Sequence, residues 1–250
     1  MLKVRVMPTL LFKDFGLVKG VRFDSWRRVG AVIQSVKVYN AREVDELVFL
    51  DISATAEGRD PDFATVDDVA DECFMPLTVG GGVSNLEHVR RLLQIGADKV
   101  AVNTAAVERP ELVEEAAQAF GAQCIVASID ARHTGRGHEA FVRSGTEPVG
   151  RDAADVAADL EQRGAGEILI TSIDRDGTME GYDLELVRRV AGAVLIPVIA
   201  SGGAGTYEHM VEALEAGAAA VAAASMFHFT EQTPLEAKRH LASRGFPVRV

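Results

Sequence analysis

Cysteine is scarce. The chain has only Cys73 and Cys124, both in apolar surroundings and without the spacing of a metal site, so they are expected to be buried, reduced thiols. The six histidines, His88, His133, His138, His209, His228 and His240, keep no metal-ligand spacing either; exposed helix or loop positions account for them, and no metal is expected. A basic surplus is also missing. With 26 Lys and Arg against 37 Asp and Glu the net charge is −11, and no basic patch offsets it, which argues against a nucleic-acid partner. No apolar run reaches the roughly 18 residues of a membrane span. The opening residues MLKVRVMPTLLF lack the apolar core and small-residue cleavage site of a secretory signal, so a cytoplasmic protein with no membrane partner is expected. No Ser-, Gly- or Pro-rich linker interrupts the 250 residues, and a single domain over residues 1–250 is expected.

What is present is a repeated alternation. Short apolar or β-branched runs occur at Lys3–Leu11, Glu46–Ile52, Leu77–Val79, Lys99–Val102, Cys124–Asp130, Glu167–Ser172, Val198–Ala200 and Ala219–Ala223. Segments of helical spacing lie between them, such as Leu86, Val89, Leu92 and Leu93 after Ser84, and Val113, Ala116, Ala117 and Phe120 after Pro110. Because the runs are apolar almost throughout, they read as parallel strands buried on both faces. Eight such units in a chain of this length predict an α/β fold, a (β/α)8 barrel, with a doubly wound open sheet as the alternative.

The halves of the chain resemble one another. Val79-Gly80-Gly81-Gly82 corresponds to Ala200-Ser201-Gly202-Gly203, and Val102-Asn103-Thr104-Ala105 to Ala224-Ser225-Met226-Phe227, at offsets of 121 and 122 residues. Leu50-Asp51-Ile52 maps by the shift of 122 onto Ser172-Ile173-Asp174. Two similar half-barrels explain this; an open sheet does not require it. Each half then carries a glycine-rich loop and a partner loop at the C-terminal ends of its strands, where backbone N–H groups can cradle a phosphate. A β-carbon there would hold the phosphate away and resist positive φ. Two such loops at related positions predict a ligand with a phosphate at each end.

Groups acting on the middle of that ligand are sought at strand ends: Asp51, Thr78, Asp130, Thr171, Asp174 and Asp176, with Lys19 in the loop after the first strand. Asp130 ends the apolar run CIVASID, so partial desolvation should raise its pKa toward the range of a general acid or base. Asp174 reads as part of a salt-bridged turn, and Asp176 beside Gly177 as a site residue. The polar segment from His133 to Gly150 is a candidate lid. Gly16 and Gly20 would let the loop after strand one move. Trp26 is expected to begin the first helix as a packing residue.

The stretches DELVFLDI, PLTVGGGV, GADKVAVNTAA, CIVASIDA, GAGEILITSIDRDGTMEGYDLEL, IPVIASGGAG and SMFHF resemble the cyclase subunit of imidazole glycerol phosphate synthase, over essentially the whole chain. The isomerase sibling of that pathway shares the half-barrel plan, but the IDRDGT and VNTAA wording fits the cyclase better. The resemblance implies a lyase of histidine biosynthesis that takes ammonia from a glutaminase partner and needs no cofactor. Its substrate is a ribonucleotide intermediate with a phosphate at each end. The family's phosphate-binding positions match Gly82, Asn103 and Thr104 on one side and Gly177, Gly203, Ala224 and Ser225 on the other; Ser144 falls near the ligand by the same match. Asp130 matches one catalytic carboxylate.

The other carboxylate is replaced. Where the family reads Pro-Cys-Leu-Asp-Val-Lys-Asp-Gly, this chain reads Pro8-Thr9-Leu10-Leu11-Phe12-Lys13-Asp14-Phe15, so Leu11 stands at the catalytic position and cannot transfer a proton. VMPTLLFKDFGLVKGVRF and ECFMPLTVGGG resemble a cyclase-like branch linked to surface-polysaccharide synthesis. Those proteins supply glutamine-derived ammonia for an acetamidino group on a sugar. Arg5, Glu46, Lys99 and Glu167 match a ring of charges that in the family gates an ammonia tunnel at the N-terminal face, and Asp98 fits the glutaminase-docking surface. Three readings follow from these residues: an ammonia-using paralogue, a genuine histidine-pathway cyclase, and a non-catalytic ammonia-channelling scaffold.

Overall fold

The computed structural model describes residues 3–14, 16–135 and 137–249. Met1 and Leu2 of the opening segment, Phe15 of the first-strand motif and Arg136 of the expected lid lie outside the described residues. Every expected apolar run is a strand. The strands are β1 (Arg5–Lys13), β2 (Gly16–Val21), β3 (Asp24–Gly30), β4 (Leu47–Asp51), β5 (Leu77–Gly80), β6 (Lys99–Val102), β7 (Ile125–Thr134), β8 (Gly137–Val142), β9 (Glu147–Asp152), β10 (Glu167–Ser172), β11 (Val198–Ser201) and β12 (Ala220–Ala223). Eight of them, β1, β4, β5, β6, β7, β10, β11 and β12, pair in parallel in chain order. β12 returns to β1 (Arg5 opposite Ala220), and β7 pairs β10 from Val126–Glu167 to Ala131–Ser172. The result is a closed (β/α)8 barrel with helices between successive strands.

Closure fixes who faces whom. β1 and β7 lie diametrically opposite, as do the β5–β6 and β11–β12 pairs. Period-two alternation then sorts side chains by depth. Along β1, Arg5 joins ion pairs at the N-terminal end, Met7 packs in an inner apolar cluster, and Thr9 and Leu11 reach a cleft at the C-terminal end. Leu10 and Phe12 point outward into the shell shared with the helices. The inner cluster is Met7, Val48, Ala101, Val126, Leu169, Ile199, Ala220 and Ala222, so the barrel is filled rather than hollow.

The helices start where local chemistry supplies a cap. Asn85 and Thr206 accept backbone N–H groups at the starts of Leu86–Gln94 and Tyr207–Glu215, and Asp183 does so for Leu184–Ala193. Thr233 and Glu236 form a reciprocal capping box on Pro234–Ser243. Among the described residues no helix is long and apolar enough to cross a membrane.

The structure corrects four local expectations. Gly16 and Gly20 do not sit in a mobile loop: β2 and β3 form an antiparallel hairpin that extends β1. Trp26 accordingly lies in β3 and does not begin a helix; the first helix is Val32–Ala41. The segment from His133 to Gly150 is likewise a hairpin, β8 and β9 continuing from β7, with Arg143, Ser144 and Gly145 at positive φ in its turn. Cys73 and Cys124 are free and only half-buried. The physical reason for the hairpins is the length of β1 and β7, which run past the barrel rim and offer free edges for antiparallel pairing. They recur at the first strand of each half, a further mark of the repeat.

Two glycines show what the loops require. Gly81 has φ 107°, and a β-carbon there would lie 2.1 Å from the Asp51 carbonyl oxygen; Gly203 has φ 111°, with the Gly181 carbonyl oxygen equally close. Gly81→Ala should cost on the order of 2–3 kcal/mol and lower the melting temperature by about 5–10 °C. Gly30→Ala, where nothing lies within 4 Å, should leave it nearly unchanged. Thermal melts of both variants test this, and an unaffected Gly81→Ala would contradict the tight packing of that loop.

Candidate active site

A cleft opens at the C-terminal ends of the strands. One end is formed by Gly81 and Gly82 after β5 with Asn103 and Thr104 after β6; the other by Ser201, Gly202 and Gly203 at β11 with Ala224 and Ser225 after β12. Short helices, Thr104–Glu108 and Ser225–Phe229, begin at these loops, and first-turn N–H groups have no partner within their own helix. Both ends therefore offer aligned backbone donors to an anion. Behind each glycine loop stands a histidine. His88 Nδ1 accepts the Ser84 N–H at 3.4 Å, and His209 Nδ1 accepts the Gly205 N–H at 3.2 Å. Sequence reasoning missed this buttress; the signal was available in their matched places after Asn85 and Thr206.

Between the two ends lies the chemistry. Asp130 projects from β7 and is almost fully buried, with Asn103 Nδ2 donating to its Oδ2 at 2.9 Å. Burial, with the Asp176 charge as a second cause, pushes its carboxyl up to about 7, against the downward pull of Asn103. Asp176 follows β10 and receives Lys19 Nζ on both oxygens, at 2.6 and 2.8 Å. Burial raises the Asp176 pKa, while Lys19 and the Phe23 backbone N–H hold it down. Thr171 and Gly177 also line the cleft, as does Ser144, whose hydroxyl donates to the Ile52 carbonyl at 2.8 Å. Leu11 lines the cleft from β1, on the side opposite Asp130.

The first hairpin is fastened over this cleft. The Arg22 N–H donates to the Asp176 carbonyl at 2.7 Å, and the Lys19–Asp176 pair ties β2 to the turn after β10. A buried pair of this kind is costly to break on one side only, because the remaining charge has no water.

At the other end of the barrel, Arg5, Glu46, Lys99 and Glu167 form a closed ring of ion pairs. Arg5 meets Glu46 at 2.7 Å and Glu167 at 2.8 Å; Lys99 meets each of the same carboxylates at 3.0 Å. Glu46 is 2% exposed and also accepts the Thr78 hydroxyl at 2.6 Å. Thr78 is thus part of the ring's surroundings and not of the cleft, contrary to expectation: it sits near the start of β5, where its side chain faces the N-terminal end. Asp98, on the same face, accepts the Leu77 N–H at 2.8 Å.

Other expected residues divide. Asp51 lines the cleft but is engaged by Ser53, Ala54 and Arg59, so it is held by its own loop. Asp174 accepts the His133 N–H at 2.8 Å and stands near Arg132, the turn role expected for it. His88 and His138 are buried and not exposed as expected; His138 pairs with Asp183 at 3.0 Å. Sequence reasoning missed Phe23, Trp26, Leu50 and Ser128 in the cleft wall. Inward alternation could have found Leu50 and Ser128; the other two enter only through the hairpin.

The chain is a closed barrel whose C-terminal cleft sets a buried carboxyl between two opposed glycine loops. The family model described as "Histidine biosynthesis protein" matches residues 5–233. The chain belongs to that family, whose members are isomerase and cyclase barrels of histidine biosynthesis.

The Asp130 titration makes a prediction. Its folded pKa of about 7 lies above an unfolded value near 3.9, so the folded state keeps a proton that the unfolded chain loses, and stability falls from about pH 4 until about pH 7. Asp130→Asn removes that loss. Its stability gain should be small at pH 4.5 and reach on the order of 2–4 kcal/mol at pH 8. Urea unfolding at the two pH values measures the difference; equal gains would mean that Asp130 titrates as an ordinary carboxylate.

Proposed function

We propose that this chain is the ammonia-using subunit of a two-protein system. A glutaminase docks on the N-terminal face, ammonia passes the charged ring, and the barrel acts on a phosphorylated, bisphosphate ribonucleotide-like substrate in the cleft. The observation that carries the reading is the closed Arg5–Glu46–Lys99–Glu167 ring, which lies at the opposite end of the barrel from Asp130. A stabilising surface network has no need to converge on one buried glutamate, and Glu46, which meets both cations, would be left without a counter-charge only if both were removed. Between ring and cleft the packed inner cluster is apolar throughout, so neutral NH3 rather than an ion would pass, and only as these side chains give way.

Leu11 favours a paralogue in which the ammonia serves another acceptor, such as an amidino group on a surface-polysaccharide sugar. General acid or base groups each contribute roughly 10²- to 10⁴-fold, and Leu11, at the position facing Asp130, cannot act as one. A second reading, the genuine histidine-pathway cyclase, is favoured by Asp176. It is a buried carboxylate, raised in pKa, electrostatically coupled to Asp130 and already in the cleft. The intact anion loops weigh against a pure channelling scaffold.

Saturating ammonium salt removes the need for a glutaminase. Turnover of the histidine-pathway bisphosphate intermediate under that condition should be at least about a hundredfold below that of the Leu11→Asp variant. Robust turnover in the unaltered chain, abolished by Asp130→Asn, would instead support the cyclase reading with Asp176 as second group.

A further inference from the structure

The second hairpin carries a pair of histidines outside the cleft. His133 on β7 and His138 on β8 are direct cross-strand partners, so both imidazoles stand on one face of the hairpin. Their ring centres are 5.2 Å apart and the ring planes meet at 78°. The turn between β7 and β8 creates this pair; spacing along the chain does not mark it. Arg132, the neighbouring cation, lies over the Phe141 ring at 4.8 Å, and period-two alternation puts both of them on the other face.

His138 is 2% exposed, and its two nitrogens differ. Nε2 lies 3.0 Å from Asp183 Oδ2. A carboxylate accepts, so Nε2 carries the ring proton and Nδ1 keeps its lone pair. That Nδ1 is buried and has no hydrogen-bond partner, a cost in free energy unless something completes it. Asp183 is itself fixed, because its Oδ1 accepts the Leu186 N–H as the cap of the helix Leu184–Ala193. A ring held through one nitrogen by an anchored carboxylate, with the other nitrogen unprotonated, is oriented as a metal-binding histidine is.

We propose that His133 and His138 form a two-histidine site for a divalent transition ion of the zinc class, with Asp183 as the carboxylate behind it. The spacing fits: two imidazoles on one tetrahedral ion, with metal–nitrogen bonds of about 2.0–2.1 Å, have ring centres roughly 5 Å apart. Among the described residues no group of three His, Cys, Asp or Glu side chains gathers around an ion, so water fills the remaining positions and the ion exchanges. Imidazole ligands favour zinc and its neighbours over magnesium. The ion would clip β7 to β8, the strand that leads to Ser144 in the cleft wall. The site depends neither on the anion loops nor on a glutaminase.

The experiment titrates the full chain and its His133→Ala and Asp183→Asn variants with zinc chloride by calorimetry and with cobalt(II) chloride by visible absorption. Magnesium chloride is the control, and circular dichroism checks that the variants fold. Zinc should bind the unaltered chain, cobalt should give the intense visible bands of a tetrahedral ion, and magnesium should give no heat. His133 is exposed, so its loss spares the fold, and zinc should bind His133→Ala at least about tenfold more weakly. Asn keeps the helix cap, and Asp183→Asn should weaken zinc by about 10- to 100-fold. Equal zinc affinity in the unaltered chain and His133→Ala would overturn the site and assign the ion to other surface groups. Failure of zinc to bind the unaltered chain would overturn it outright.

Discussion

The parallel pairing of β10 with β7 closes the sheet, and the geometry of the cleft depends on that closure. In an open sheet, Leu11 and Asp130 would lie on strands far apart along one layer. Closed, their strands face each other across the mouth, and the glycine loops after β5 and β11 face each other on the perpendicular axis. The same closure gathers Arg5, Glu46, Lys99 and Glu167 from separate strands into one ring at the other end. Parallel strands buried on both faces, with short connections, leave little freedom for any other arrangement of these ends.

On the proposed reading, an acidic chain binds anions here through local fields. The net charge is −11, yet both cradles offer main-chain donors at helix starts and glycines at positive φ. The charged side chains within the cleft are paired off: Lys19 is committed to Asp176, and Asp51 to its own loop and Arg59. Among the described residues Asp130 has only the Asn103 amide. Its weak neutralisation in a buried setting keeps its pKa near neutrality, and it is the carboxylate best suited to exchange a proton with a ligand.

Much of this was legible in the sequence because it depends on period and spacing. All eight barrel strands were marked by apolar runs, and the repeated glycine motifs located both cradles. The expected cleft residues, from Lys19 and Gly81 to Ala224 and Ser225, do line one cavity. What was not legible came from tertiary pairing. The segments Gly16–Val21 and Gly137–Val142 read as loops, since their glycines and charged residues outweigh a strand pattern until the long edges of β1 and β7 exist to receive them. Trp26 and Phe23 were therefore missed as cleft residues. Thr78 looked like a strand-end group because its strand is short, whereas its hydroxyl faces Glu46 at the other end.

The central claim is that one cleft holds two phosphate groups at opposed loops. It is tested most directly by a crystal structure of the protein grown in inorganic phosphate. The account predicts two bound anions, one on the backbone N–H groups around Gly82 and Thr104 and the other on those around Gly203 and Ser225. Phosphate at one loop only, or at neither while bound elsewhere on the surface, would contradict it.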